Sequence, residues 1–166
     1  MHPLPADLVS EIEARSRSAT LISLFLDFDG TLVPISGDPN MPRLDPTVAA
    51  TLNLLSSQDD LIATIISGRA IEDLYKRIRL DGLIYAGNHG LEILGRQFRF
   101  VEPAAMASRE ALERLSEELA LELEPIAGAF VERKGLTSSV HYRLAADADL
   151  AGIEQLVYAG TARHGA

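Results

Sequence analysis

The hydrophobic positions fall into three short continuous runs separated by stretches of helical period. Leu21-Ile22-Ser23-Leu24-Phe25-Leu26 is nearly all apolar and stops at Asp27. Leu61-Ile62-Ala63-Thr64-Ile65-Ile66 stops at Ser67-Gly68-Arg69, and Leu83-Ile84-Tyr85-Ala86 runs into Gly87-Asn88-His89-Gly90. Apolar runs that do not alternate, bounded by turn residues, predict strands buried on both faces. Between them, Asp45 and Pro46 predict a helix start, with Val48, Leu52 and Leu55 on one face. Ile71, Leu74 and Ile78 share a face of a helix beginning at Ser67-Gly68-Arg69. Leu8 and Ile12 mark a short amphipathic helix between Pro5 and Ser16, and residues 34–46, rich in Pro, Gly and Asn, predict a loop.

This strand–helix–strand–helix–strand order predicts an α/β fold, a parallel sheet covered by helices. The polar clusters all follow strands, where open α/β sheets bind ligands. Beyond Phe100 the pattern changes. A Glu-rich helix is predicted over about 104–122, with Leu112, Leu115 and Leu119 on its buried stripe, ended by Pro125 and Gly128. Phe130 to Lys134 and Ser138 to Leu144 alternate like strands around Gly135-Leu136-Thr137. Asp147 is placed to cap a last helix bearing Leu150, Ile153 and Leu156. The expected organisation is a core over 1–101, holding the first three parallel strands, and a small α+β unit over 102–166.

Composition narrows the function. The 166 residues are 47% hydrophobic and 23% charged, with a formal net charge of −9. An acidic surface repels nucleic acid and anionic membranes, so neither is an expected partner. Any bound phosphate must be held by a local positive site or a metal. There is no cysteine, which excludes disulfides, thiolate metal sites and a cysteine nucleophile. No apolar run reaches the roughly 18 residues that span a bilayer. Residues 1–18 carry mixed charges and no signal-like apolar core, so a cytoplasmic location is the default expectation.

The chemistry centres on Asp27-Phe28-Asp29-Gly30-Thr31. Two carboxylates two residues apart, straight after a buried strand, are costly unless something pairs them. A divalent metal does so, since Mg²⁺ takes oxygen ligands from one or two carboxylates and keeps several waters. An Asp in line with phosphorus serves as nucleophile, and a second Asp protonates the leaving oxygen and then activates water. Gly30 permits a sharp turn, and Thr31 offers a hydroxyl to a phosphate oxygen. Ser67 and Gly68, at the end of the next strand, offer a hydroxyl and backbone N–H groups to the same anion. Taken singly, Asp-Gly is also an ordinary turn and Ser67 an ordinary helix cap. Their occurrence after neighbouring strands favours the phosphate reading. On the predicted hairpin, Glu132 and Lys134 share one face, as do His141 and Arg143. That face suits a sugar phosphate; a solvated sheet surface is the equal alternative.

Asp27-Phe28-Asp29-Gly30-Thr31-Leu32 and Ser67-Gly68-Arg69 resemble the first two motifs of the haloacid dehalogenase superfamily. Gly87-Asn88-His89-Gly90-Leu91-Glu92, Glu132-Arg133-Lys134 and His141-Tyr142-Arg143 are similar to the trehalose-6-phosphate phosphatases within it. The resemblance runs from about Leu24 to Arg143. It implies a haloacid dehalogenase-like Rossmannoid parallel sheet with a small α+β cap. The implied reaction is hydrolysis of trehalose 6-phosphate to trehalose and phosphate through an aspartyl-phosphate, with Mg²⁺. Asp27 is then the implied nucleophile and Asp29 the acid/base; the Asp27 carboxylate and Asp29 main-chain carbonyl resemble the metal ligands. Thr31, Ser67 and Gly68 face the phosphate. Asn88, His89, Glu132, Lys134 and His141 lie near the disaccharide, with Arg69 and Arg143 secondary.

The family's third motif, a Lys in a Gly-Lys string, and its fourth, an acidic Gly-Asp-Asp cluster, do not follow Arg143. The expectation is therefore an incomplete sheet and a missing C-terminal part, with self-association through the Leu21–Leu26 sheet edge as one consequence. Alternatives are another sugar-phosphate phosphatase or a phosphomutase of the superfamily, and a catalytically incomplete binding or interaction module.

Overall fold

The computed structural model describes residues 5–35 and 43–165. Most of the predicted 34–46 loop lies outside the described residues. Helix α1 (Ala6–Ser18) is followed by β1 (Ile22–Asp27), α2 (Pro46–Ser56), β2 (Leu61–Ile66), α3 (Ile71–Ile78) and β3 (Ile84–Gly87). Strands β4 (Glu92–Leu94) and β5 (Arg99–Val101) complete a sheet of order β1-β2-β3-β4-β5. The first three strands are parallel, as expected. The other two form an antiparallel hairpin on the far edge. That hairpin is not among the predicted elements, although Gly95 between Ile93-Leu94 and Phe98-Arg99-Phe100 is a turn signal between short apolar pieces.

The predicted helix signals have identifiable roles. The Asp45 side chain caps α2 by accepting from the Thr47 N–H at 2.8 Å, with Pro46 in the first turn. Val48, Leu52 and Leu55 of α2 and Ile71, Leu74 and Ile78 of α3 pack on Ala63, Ile65 and Tyr85. Right-handed crossovers between adjacent parallel strands place both helices on one side of the sheet. The Tyr85 hydroxyl inside this core donates to the Leu80 carbonyl at 2.7 Å, and burial pushes its pKa up to about 12.

One expectation about β1 is corrected. It is buried on one face only, with burial alternating along its length. Leu26 faces the core, whereas Phe25 is 67% exposed. The reason is topological: β1 is the outer strand, so its other edge and its far face are uncovered among the described residues. Helix α1 forms, but none of its residues is buried, so its apolar face has no partner in the core. Ser67 does not cap α3; the capping position is Ala70, with no side-chain bond.

The second unit contains α4 (Pro103–Leu123), β6 (Phe130–Arg133), β7 (Ser138–His141) and α5 (Leu150–His164). Leu115, Ser116, Leu119 and Leu123 form the buried stripe of α4, against Ile153 and Gly160 of α5. A Cβ on Gly160 would stand 2.8 Å from Leu115 Cδ1, so glycine is what lets the two helices approach. The two-stranded sheet lies on α4, with the Ser116 and Ser138 hydroxyls 2.6 Å apart. Asp147 does not cap the last α-helix. It opens a short 3-10 turn, Asp147–Asp149, that leads into α5.

Candidate functional site

The parallel register sets the strand ends in a row. Asp27 pairs with Ile66, and Ile66 with Ala86. The ladder continues one step further: Phe28 N–H donates to the Ile66 carbonyl at 3.1 Å, and Ser67 N–H to the Ala86 carbonyl at 2.9 Å. Asp27-Phe28-Asp29, Ser67-Gly68-Arg69 and Gly87-Asn88-His89 therefore emerge side by side at one edge of the sheet. The topology requires this arrangement, because parallel strands all end on the same side.

Phe28 is fully buried and anchors the first segment, leaving Asp27 and Asp29 on the surface either side of it. Gly30, at φ +89°, turns the chain, and its N–H donates to the Val33 carbonyl at 2.8 Å. Thr31 is exposed on this turn. The Asp29 carboxylate is gripped by Arg69: Nε meets Oδ2 and Nη2 meets Oδ1, each at 2.8 Å. This bidentate geometry fits the planar guanidinium to the carboxylate. Arg69 also reaches Asp73 at 3.1 Å and lies over the Phe28 ring, 5.7 Å from its centroid. Arg77 bonds Asp73 at 2.8 Å from the next turn of α3. Burial pulls the Arg69 pKa down, but the hydrogen bonds to Asp29 and Asp73 outweigh it and leave it raised. The resemblance made Arg69 secondary; the fold makes it the anchor of Asp29. The Arg69, Asp73, Arg77 spacing was a visible i, i+4 signal for part of this ladder.

Ser67 is buried, and its hydroxyl accepts from the Arg69 N–H at 3.2 Å. Gly68 is packed beneath the His89 ring: a Cβ there would meet His89 Cε1 and Nε2 at 2.6 Å. His89 thus stands over the Ser67-Gly68 loop, on the core. Its N–H donates to the Ser67 carbonyl at 3.0 Å. Asn88 and His89 both have positive φ, 47° and 59°. Non-glycine residues held there store strain that clusters at functional sites.

Of the hairpin residues, Glu132, Lys134 and His141 are brought together. His141 Nε2 lies 2.7 Å and Lys134 Nζ 3.3 Å from the same Glu132 oxygen, Oε2. The cross-strand register explains it: Glu132 opposes Ser139, which sets His141 on the neighbouring diagonal of the same face. Phe130 is on that face too, stacked on His141 at 4.7 Å. Arg143 lies past the end of β7, in a turn outside this group. Asn88 is fully buried and bonded to the hairpin turn, not turned toward open space. A cleft of about 380 Å³ runs between the start of α3 and β6, lined among others by Arg69, Asp73, Phe130, Glu132 and Lys134. It links the anchor of Asp29 to the hairpin face.

The donor set for a divalent cation is small. Among the described residues no hydrogen bond reaches the Asp27 carboxylate, and the Asp29 carbonyl takes no part in the three backbone bonds that close the turn. A carboxylate and a carbonyl side by side are hard oxygen donors that suit Mg²⁺, which keeps water in its other positions. The Asp29 carboxylate belongs to Arg69. No cluster of three or more acidic or histidine side chains able to hold a metal occurs among the described residues.

A sheet with three parallel strands and two carboxylates at the end of its first strand, followed by a small α+β unit, fits the expected haloacid dehalogenase-like α/β fold. Residues 25–161 match the trehalose-phosphatase family, and the chain belongs to that family. It is 34% identical over 143 residues to the trehalose-phosphate phosphatase of Mycobacterium tuberculosis (strain ATCC 25618 / H37Rv), covering 86% of this chain and 36% of that protein. It is 39% identical over 126 residues to a protein named uncharacterized glycosyl hydrolase from the same organism, covering 75% of this chain and 9% of that one. The C-terminal domain of C. albicans trehalose-6-phosphate phosphatase has the same fold, with a TM-score of 0.76 at 23% identity, over 97% of this chain and 55% of that one. The chain thus spans about a third of the length of the mycobacterial phosphatase it matches. No helix among the described residues is long and apolar enough to cross a membrane.

Proposed function

We propose that this chain carries the nucleophile end of a trehalose-6-phosphate phosphatase. Residues 1–101 act as the core and 102–166 as the cap over it. The observation that carries this reading is the row of strand ends, an exposed Asp27 beside the Ser67-Gly68-Arg69 loop, together with the cleft that runs from Arg69 to Glu132 and Lys134, where His141 shares the Glu132 oxygen. Two other features support it, the family match over residues 25–161 and the identity to the mycobacterial phosphatase.

In this reading an Asp27 carboxylate oxygen attacks phosphorus, and the bond to the sugar 6-oxygen breaks. Asp29 gives its proton to that oxygen, releasing trehalose. Asp29 then takes a proton from water, which attacks the aspartyl-phosphate and releases inorganic phosphate with Asp27 restored. The Arg69 fork holds both Asp29 oxygens as a carboxylate, so one of its two bonds opens whenever Asp29 carries the proton. Thr31, Ser67 and the Gly68 backbone bind the equatorial phosphate oxygens. His89 stands beside them, and Glu132, Lys134 and His141 bind the sugar hydroxyls. The Asp27 carboxylate and the Asp29 carbonyl would hold Mg²⁺, which would supply charge neutralisation of the phosphate.

Phosphate release from trehalose 6-phosphate with Mg²⁺ tests the proposal. The wild-type chain is expected to turn over, and Asp27→Asn is not. Hydrolysis of other sugar phosphates with trehalose 6-phosphate ignored would replace the substrate with another of the class. Binding without turnover would make the chain a sugar-phosphate binding module.

A further inference from the structure

The junction between core and cap is a buried polar pin. Asn88 is 0% exposed, yet both ends of its side-chain amide are satisfied. Nδ2 donates to Glu92 Oε1 at 2.7 Å and to the Lys134 carbonyl at 3.0 Å, and Oδ1 accepts from the Thr137 hydroxyl at 2.6 Å. The chemistry of the partners fixes which way the amide points. A carboxylate and a carbonyl can only accept, so the nitrogen must face them, and the hydroxyl must donate to the oxygen. Glu92 is itself buried, with Arg99 3.6 Å from its other oxygen. The core therefore offers a rigid, oriented amide, and the hairpin turn plugs into it at two points 46 and 49 residues away.

The pinned carbonyl belongs to Lys134. Its side chain reaches Ser139 Oγ at 3.0 Å and Glu132 Oε2 at 3.3 Å, on the face that borders the cleft. Its N–H closes the turn on the Thr137 carbonyl at 2.9 Å. The residue that meets Asn88 on the backbone is thus the one that carries the cationic head into the cleft.

We infer that Asn88, Glu92 and Thr137 are positioning residues: they lock the cap hairpin onto the core and so set where Lys134 stands relative to the strand-end carboxylates. On this reading Asn88 acts through Lys134 and does not touch the sugar. The kinetic consequence rests on the phosphatase proposal; the pin itself does not.

The test compares Thr137→Val, which keeps the shape and removes the hydroxyl, with Thr137→Ser, which keeps it. Amide hydrogen exchange is followed in the 134–139 turn and, as an internal control, in β2. Losing one buried hydrogen bond is expected to speed exchange in the turn about tenfold in the Val variant, with β2 unchanged and the Ser variant like wild type. Unchanged exchange in the turn, or equal acceleration in β2, would overturn the pin. In turnover, Thr137→Val is expected to raise KM for trehalose 6-phosphate about tenfold, with kcat/KM for p-nitrophenyl phosphate, which has no sugar to place, unaltered and Thr137→Ser restoring the wild-type value. Equal losses on both phosphates, or none on either, would overturn the positioning role. Exchange needs no turnover, so a wild-type chain that shows the expected exchange but releases no phosphate counts against the phosphatase proposal and leaves the pin standing.

Discussion

The two ends of the candidate site handle charge differently. At the core end, Asp27 stands exposed at a strand terminus, and Asp29 depends on an arginine 40 residues further along the chain. At the hairpin end, Glu132, Lys134 and His141 neutralise one another within ten residues of sequence. The core end leaves a carboxylate exposed, and its geometry is imposed by packing of the sheet. The hairpin end is already balanced, so it suits neutral hydroxyls, which exchange hydrogen bonds without changing the charge. On the proposed reading, a phosphate that brings a metal ion with it meets the first environment and a sugar the second.

The largest expected effect breaks the core end. Asp27→Asn removes the nucleophile while keeping its shape, and phosphate release should fall to background. Because no described residue bonds the carboxylate, the unfolding free energy from urea titration should stay within about 0.5 kcal/mol of wild type. A large loss of stability would mean that Asp27 is a structural residue. Next comes the support beneath it. Leu74 is fully buried between α3 and the sheet, and Leu74→Ala should cost about 2–5 kcal/mol in the same titration. The core end would then lose order before the hairpin does.

Gly68→Ala tests how tightly the phosphate loop is packed. The added methyl group meets the His89 ring, which must swing away, at an expected cost of about 1–3 kcal/mol. Binding of inorganic phosphate, measured by calorimetry, should weaken with it; an unaltered affinity would separate His89 and Gly68 from the anion.

The smallest effect sharpens the hairpin end. Burial pushes the Glu132 pKa up, but the His141 hydrogen bond and the Lys134 charge outweigh it and hold it below the ordinary 4.5. A depressed carboxyl pKa contributes stability that is present above the unfolded value and lost as pH falls through the folded one. On acidification below the ordinary 4.5 the wild-type chain should therefore lose this contribution, and Glu132→Gln should lack that part of the acid dependence. The difference between the two unfolding free energies from urea titration should shrink toward low pH, by less than about 1 kcal/mol since the group is partly solvated. A difference that does not change with pH would show that the hairpin is held by packing alone.

Legibility differed along the chain. The three parallel strands, α2, α3, α4 and the β6–β7 hairpin were readable, because each has a local period and a local stop signal such as Asp45-Pro46. The β4–β5 hairpin was not, since three-residue strands are too short to establish a period. For β1, composition resembling that of β2 predicted burial on both faces, whereas the absent third and fourth motifs predicted an uncovered Leu21–Leu26 edge, and the second holds among the described residues. In the candidate site, Asp27, Asp29, Ser67 and Glu132 stood out by residue type and place. Arg69 stood out only as a secondary candidate, and the roles of Glu92 and Thr137 did not, because the partners of all three come from elsewhere in the fold or carry no motif of their own.

The sequence by itself determined which residue types end each strand, where the turns fall, and that an acidic, cysteine-free chain would need oxygen ligands or local cations to handle phosphate. Those properties follow from side-chain chemistry and from periodicity over a few residues. Only the tertiary structure decided that Arg69 closes on Asp29, that His141 shares an oxygen with Lys134, and that Asn88 is spent on the hairpin turn and not left open to a ligand. Each of these depends on strand order and register, which are set by the packing of distant segments on one another.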